Sequence, residues 1–343
     1  MTLGTVPLLD VQGLSKVYEP AGAFLRRLAG GPRHKLRAVD DVSLAIREGE
    51  ILSLVGESGS GKTTLGRAIL RLVEPSEGRI LFRGEDLVGF PKPRMREARR
   101  HMQMIFQDPY SSLNPRMTVG QALGEAMRVH AVCPPSEIPA RVAELLELVG
   151  LGAQHAERLP RDFSGGQRQR IGIARALSVR PAFIVADEPV SAVDVSIQAQ
   201  ILNLLLDLRA RFDLTMLFIA HDLSVVRYVS TRVGVRYLGR IVELAPRREV
   251  FGAPRHPYTQ GLLRAAPRPD PGSRSSAVAI AGEPPSALDP PPGCHFHTRC
   301  PLATALCREA RPPLETVSPD HLVACHHHAT AAAQWSGRVP NHH

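Results

Sequence analysis

Apolar residues alternate or run together over residues 8–18 and again over 39–55, with a polar break at Glu48-Gly49. That pattern, rich in Val, Leu and Ile, predicts strands joined by a turn. Residues 22–37 between them are glycine-rich and basic and read as an inserted loop. A helix is predicted over 62–73, directly after a run of glycine and serine. Helical periodicity then dominates from 93–101 through 118–130, 136–149 and 164–179. A short buried strand follows at 182–187. Residues 196–211 form an amphipathic helix with Ile197, Ile201, Leu204, Leu205 and Leu208 on one face. A strand at 214–220, a helix at 222–230 and a closing hairpin at 231–243 complete the regular pattern. Beyond residue 246 proline becomes frequent and long periodic segments stop, which predicts an irregular extension. Strands alternating with helices predict an α/β fold, and no internal repeat is visible.

Composition narrows the partners. No stretch approaches the ~18 consecutive apolar residues of a membrane span, and the N-terminus lacks the basic-then-apolar pattern of a signal peptide. A cytoplasmic protein that reaches a membrane only through a partner is expected. The net charge of +9 would permit nucleic acid. The basic clusters Arg26-Arg27, Arg94 to Arg100 and Arg247-Arg248 are dispersed and carry no interleaved aromatics, so no nucleic-acid partner is expected. The charge is nearly all arginine: lysine stands only at positions 16, 35, 62 and 92.

That scarcity makes Lys62 informative. It closes the run Gly56-Glu57-Ser58-Gly59-Ser60-Gly61-Lys62-Thr63-Thr64, between a predicted strand and a predicted helix. Glycines let backbone N–H groups curl around phosphates, and the helix N-terminus adds partial positive charge. Lys62 can reach terminal phosphates and the Thr63 hydroxyl can ligate Mg²⁺. The pattern predicts a P-loop NTPase core of the RecA-like α/β type that binds ATP. Asp187-Glu188 ends the apolar strand beginning at Phe183. An acidic pair there suits Mg²⁺ at Asp187 and a water-directing base at Glu188.

Phe163-Ser164-Gly165-Gly166-Gln167-Arg168-Gln169-Arg170 resembles the signature motif of ATP-binding cassette proteins. The resemblance implies that Ser164, Gly165, Gly166 and Gln167 clamp the ATP of an opposite subunit, in a dimer enclosing two nucleotides. Further positions match the family in order. Tyr18 resembles the adenine-stacking aromatic. Gln107 resembles the hinge-loop glutamine that senses Mg²⁺ and the γ-phosphate. Asp194 resembles the loop crossing the dimer interface, and His221 the switch histidine. Phe163 and Val193 stand where leucine is usual, both apolar exchanges. The implied division is a cassette domain over 1–245, with a helical subdomain inserted at about 92–176, and a Pro/Cys-rich extension over 246–343.

Residues 105–120, 185–205 and 256–263 resemble the ATPases of oligopeptide/dipeptide importers, and the SSLNPR form leans toward the second, F-type, ATPase of such systems. The resemblance implies a heterodimer with a second cassette subunit and two integral-membrane permeases. An extracytoplasmic solute-binding protein would feed them, and the chain would lie on the cytoplasmic face of the inner membrane. Import of nickel or another small solute, and a soluble cassette ATPase acting away from membranes, are the competing expectations.

Four of the five cysteines, Cys294, Cys300, Cys307 and Cys325, fall in the extension. Reducing surroundings disfavour disulfides. A shared iron–sulfur cluster, a structural zinc and plain reduced thiols remain open. Resemblance to the importer tail, some members of which hold a [4Fe–4S] cluster, favours the first. His295, His297 and His326 to His328 are alternative ligands. Cys133 stands alone in a helical region and is expected to be an ordinary small side chain.

Overall fold

In the computed structural model, residues 6–19, 35–108, 113–266, 280 and 282–335 are described. The predicted loop at 22–37 lies mostly outside these residues, and its last two residues are the start of a strand. In chain order the first elements are β1 (Leu9–Tyr18), β2 (Leu36–Ile46), β3 (Ile51–Val55), helix α1 (Lys62–Ile69), β4 (Glu77–Phe82) and β5 (Glu85–Asp86). Then come α2 (Lys92–His101), β6 (Met102–Ile105), α3 (Val119–Val129), α4 (Ile138–Leu148) and α5 (Gly165–Leu177). They are followed by β7 (Phe183–Asp187), α6 (Val195–Phe212), β8 (Thr215–Ile219), α7 (Leu223–Val229), β9 (Arg232–Tyr237) and β10 (Arg240–Pro246).

The extension is more regular than its prolines predict. It contains α8 (Arg247–Gly252), α9 (Pro257–Ala265), α10 (Ala305–Glu309), β11 (Glu315–Ser318), β12 (His321–Val323) and α11 (His328–Gln334). Pro257 is the first residue of α9, where its missing N–H costs nothing, and the His256 ring caps the helix by accepting from Tyr258 N–H at 3.0 Å.

The chain divides into two compact units. One holds residues 1–9, 46–51 and 81–220. Its strands β6, β7 and β8 are parallel neighbours, with Ile184 opposite Gln103 on one side and Met216 on the other. Both β7 and β8 are buried at every position, as expected of continuous apolar runs covered on two faces. In this unit Leu123 and Met127 of α3 and Val142 and Leu146 of α4 are buried at helical spacing. Each such side chain contributes roughly 1.5–3 kcal/mol. Thr118 opens α3 with a reciprocal capping box to Gln121. In α6 the buried seam is Ile201, Leu202, Leu205 and Leu208, with Ile197 and Leu204 half-buried beside it.

The other unit holds residues 10–45, 52–80 and 221–343. Here β3 pairs with β9 in parallel, and β9, β10, β12 and β11 continue antiparallel in that order. The extension therefore lengthens the same sheet that carries β3. A fully buried bond from His321 Nε2 to Glu243 Oε1 (2.8 Å) joins β12 to β10, and Glu243 also accepts from the backbone of Arg255 and His256.

Candidate nucleotide site

The phosphate loop leaves β3 at Gly56 and enters α1 at Gly61. Gly61, at φ +86°, occupies the N-cap position, and a Cβ there would stand 1.9 Å from the Ala38 carbonyl. Gly59, at φ +78°, has nothing within 4 Å of its Cβ position, so that side of the loop is open. Lys62 is buried, and its ammonium donates to the carbonyls of Gly56 (2.8 Å) and Glu57 (3.1 Å). The lysine is thus held against its own loop. Ser60 is buried, while Thr63 and Thr64 are half-buried in the first turn of α1. In the same unit Tyr18 is half-buried at the end of β1, with the Lys16 ammonium 5.0 Å from its ring centroid.

Three residues that sequence reasoning missed support this loop. Arg236 on β9 is fully buried and donates to the carbonyls of Gly61 and Gly239, both at 2.8 Å. Burial pushes its pKa down to about 9. Tyr258 on α9 accepts a hydrogen bond from Glu57 N–H at 2.9 Å. Arg299 forks onto the Glu57 carboxylate at 3.0 and 3.1 Å. Tyr258 lies in the 256–263 stretch noted above, but nothing local assigns any of the three to the loop: they lie 175, 201 and 242 residues along the chain from their loop partners.

In the unit holding β7, Asp187 is buried at the strand end and Glu188 follows it at φ +46°. A non-glycine residue with this backbone is strained, and such strain concentrates at functional sites. Surrounding bonds hold it: Glu188 N–H donates to the Ile219 carbonyl at 2.9 Å, and its own carbonyl accepts from Ser191 Oγ at 3.0 Å. Gln107 Nε2 donates to Glu188 Oε2 at 2.9 Å. The structure brings together the two residues that the sequence assigned to the hinge loop and to the base.

Ser164 caps α5: its hydroxyl accepts from Gln167 N–H at 3.3 Å, and the Gln167 side chain returns a bond to Ser164 N–H at 3.0 Å. Buried Arg168 fastens the preceding turn through the carbonyls of Pro160 (2.7 Å) and Arg161 (3.0 Å). Gly165 lies against the Ala192 carbonyl, and a Cβ on Gly166 would fall 2.5 Å from Ile197. Glycine at 166 therefore allows the starts of α5 and α6 to approach. Asp194 is exposed at the head of α6. His221 is exposed just before Asp222, which caps α7 through Ser224 N–H at 2.7 Å.

The four extension cysteines are free thiols. Backbone N–H of Cys294 donates to the Cys307 carbonyl at 2.8 Å, and Thr304 Oγ1 contacts both Cys307 Sγ (3.7 Å) and His327 Nε2 (3.0 Å). Burial pushes the Cys294 thiol up, Cys300 to about 11 and Cys325 to about 12, so these three are protonated at neutral pH. Among the described residues, no three His, Cys, Asp or Glu side chains are placed to hold a metal ion.

Comparison with known proteins matches two stretches of the chain. The family described as "ABC transporter" matches residues 39–191, and "Oligopeptide/dipeptide transporter, C-terminal region" matches residues 242–307. A putative peptide import ATP-binding protein of Brucella ovis is 51% identical over 319 residues, covering 93% of this chain and 97% of that protein. A probable peptide ABC transporter ATP-binding protein of Sinorhizobium fredii is 50% identical, covering 95% of this chain and 91% of that one. The oligopeptide transport ATP-binding protein AppF of Bacillus subtilis is 47% identical, with 93% and 97% covered. Among solved structures, a dimeric bacterial ABC transporter cassette superposes with a TM-score of 0.62 at 27% identity, covering 70% of this chain and 99% of that one. The dimeric post-hydrolysis state of a cassette bound to ADP and Pi gives 0.61 at 27% identity, with the same coverage.

Proposed function

The chain belongs to the ATP-binding subunits of oligopeptide/dipeptide ABC transporters, and from that membership we propose how its residues divide the work of driving peptide import. It is the ATPase of the importer, with an α/β cassette fold followed by the oligopeptide-transporter C-terminal region. No described helix is long and apolar enough to cross a membrane. The observation that carries the catalytic reading is the Gln107–Glu188 hydrogen bond on a strained backbone, in a chain whose phosphate loop already holds its lysine.

In the proposed cycle Tyr18 stacks on adenine and residues 56–64 wrap the phosphates. Lys62 exchanges the Gly56 and Glu57 carbonyls for the terminal phosphates. Mg²⁺ suits Thr63, Gln107 and buried Asp187, all oxygen donors, and when bound it supplies charge neutralisation at the phosphates. Glu188 orients and deprotonates the attacking water, Gln107 holds the carboxylate, and His221 contacts the γ-phosphate. Ser164, Gly165, Gly166 and Gln167, with Asp194 alongside, close on the nucleotide of a second cassette. Support comes from the fold's likeness to cassettes solved as dimers.

The proposed division keeps residues 1–245 as the cassette, with the helical subdomain inserted at about 92–176, and 246–343 as the extension; the segment around Gln107 and the helices to about residue 130 receive the permeases. The assembly is a heterodimer of cassettes beneath two permeases on the cytoplasmic face, fed by an external binding protein. A tagged chain purified from membranes should bring down two permeases and a second cassette, with ATP hydrolysis stimulated by peptide-loaded binding protein. Recovery of ribosomes or DNA without a permease would remove the transport reading.

A [4Fe–4S] cluster on Cys294, Cys300, Cys307 and Cys325 is a separate proposal. The donor chemistry suits iron, but among the described residues no three of these side chains are placed to hold an ion, and burial favours the protonated thiol at Cys294, Cys300 and Cys325, so binding would require movement and loss of protons. No step of the cycle runs through it. Anaerobically purified protein should carry about four iron and four sulfide per chain if the proposal holds; their absence removes it.

A further inference from the structure

We infer that the C-terminal region is part of the nucleotide machinery, with Arg299 a positioning residue that sets the phosphate loop through Glu57. This rests on the ATPase reading above and adds to it a residue outside the nucleotide-loop motifs.

Glu57 is the second residue of the loop, and both its polar ends are held from the extension. Its carboxylate receives the two-pronged Arg299 guanidinium at 3.0 and 3.1 Å, and its N–H is accepted by the Tyr258 hydroxyl at 2.9 Å. Arg299 itself is fixed. Its side chain is 6% exposed, one nitrogen also reaches the Tyr237 hydroxyl at 3.4 Å, and Tyr237 packs in a mutual cluster with Tyr258 and Phe296. A two-pronged charged hydrogen bond specifies direction as well as distance, which a lysine at the same place cannot do. The carbonyl of this doubly anchored residue is one of the two that store Lys62. Arg299 therefore holds still the segment from which the phosphate-binding lysine departs. Releasing Glu57 lets the loop and its lysine wander, which weakens nucleotide capture while the hydrolytic pair, Gln107 and Glu188, is untouched. The loss should fall on KM rather than kcat.

The test uses the purified full-length chain, with Mg²⁺ and a fluorescent ATP analogue for binding and steady-state hydrolysis for KM and kcat. Arg299→Ala should raise Kd and KM about tenfold with kcat within about twofold. Arg299→Lys, which keeps charge and packing, should fall between Arg299→Ala and the unsubstituted protein. Glu57→Gln should match Arg299→Ala, and the double variant should be no worse than either single one. Unchanged binding in Arg299→Ala, or single effects that multiply in the double variant, would overturn the inference and leave the ATPase reading standing. Failure of the unsubstituted chain to bind the analogue would remove both.

Discussion

Glu188→Gln should lower ATP turnover by about 10²–10⁴-fold, the usual worth of a positioned general base, while ATP still binds. The substitution is nearly isosteric. The new amide oxygen can still accept from Gln107 Nε2, now 2.9 Å away, and the backbone at φ +46° keeps its bond to the Ile219 carbonyl. The basicity and the negative charge are removed. Because hydrolysis is the step proposed to reopen the cassette pair, the variant should accumulate as an ATP-loaded dimer. Single-turnover hydrolysis and size-exclusion chromatography with and without ATP read the two effects. Turnover within a few-fold of the unsubstituted protein would show that another group takes the proton. Gln107→Ala should give a smaller defect in the same direction, since it removes the carboxylate's partner and not the carboxylate.

The candidate site positions were legible because their constraints are local. A loop that wraps phosphate needs glycines at fixed offsets, and an acid at a buried strand end needs only the strand before it. The Ser164–Gln167 box is visible for the same reason: both partners lie within one helical turn. Local reading also misplaced ends. The helix predicted over 62–73 stops at Ile69, because Arg71 turns to φ +49° and forks onto Glu74 through Nε and Nη2, both at 3.0 Å. Long-range support was not legible at all. Arg236, Tyr258 and Arg299 are ordinary residues until folding carries them under Gly56, Glu57 and Gly61. The extension was misread for a related reason. β12 is three residues long, too short for periodicity, and exists because β10 offers it an open edge and Glu243 a buried partner for His321.

Gly61→Ala should cost the protein both stability and nucleotide, and comparison with Gly59→Ala shows why. Both glycines have positive φ, so in each an alanine loses about 1–2 kcal/mol to backbone conformation. At Gly59 the added methyl meets nothing within 4 Å, so the conformational cost is all that the fold feels. At Gly61 it would lie 1.9 Å from the Ala38 carbonyl, a backbone atom of β2 that cannot rotate away. Overpacking of this kind adds about 1–3 kcal/mol. The Gly61 carbonyl also accepts from both Leu65 N–H (2.9 Å) and buried Arg236 (2.8 Å), so moving Gly61 strains the first turn of α1 and unseats a buried guanidinium together. Urea denaturation should therefore place Gly61→Ala below Gly59→Ala by about 1–3 kcal/mol. The variant that remains folded should bind the fluorescent ATP analogue at least about tenfold more weakly, for each 1.4 kcal/mol of loop distortion is a factor of ten. Equal urea midpoints for the two variants would mean that β2 yields to the loop, and the rigidity attributed to Arg236 and Ala38 would have to be abandoned.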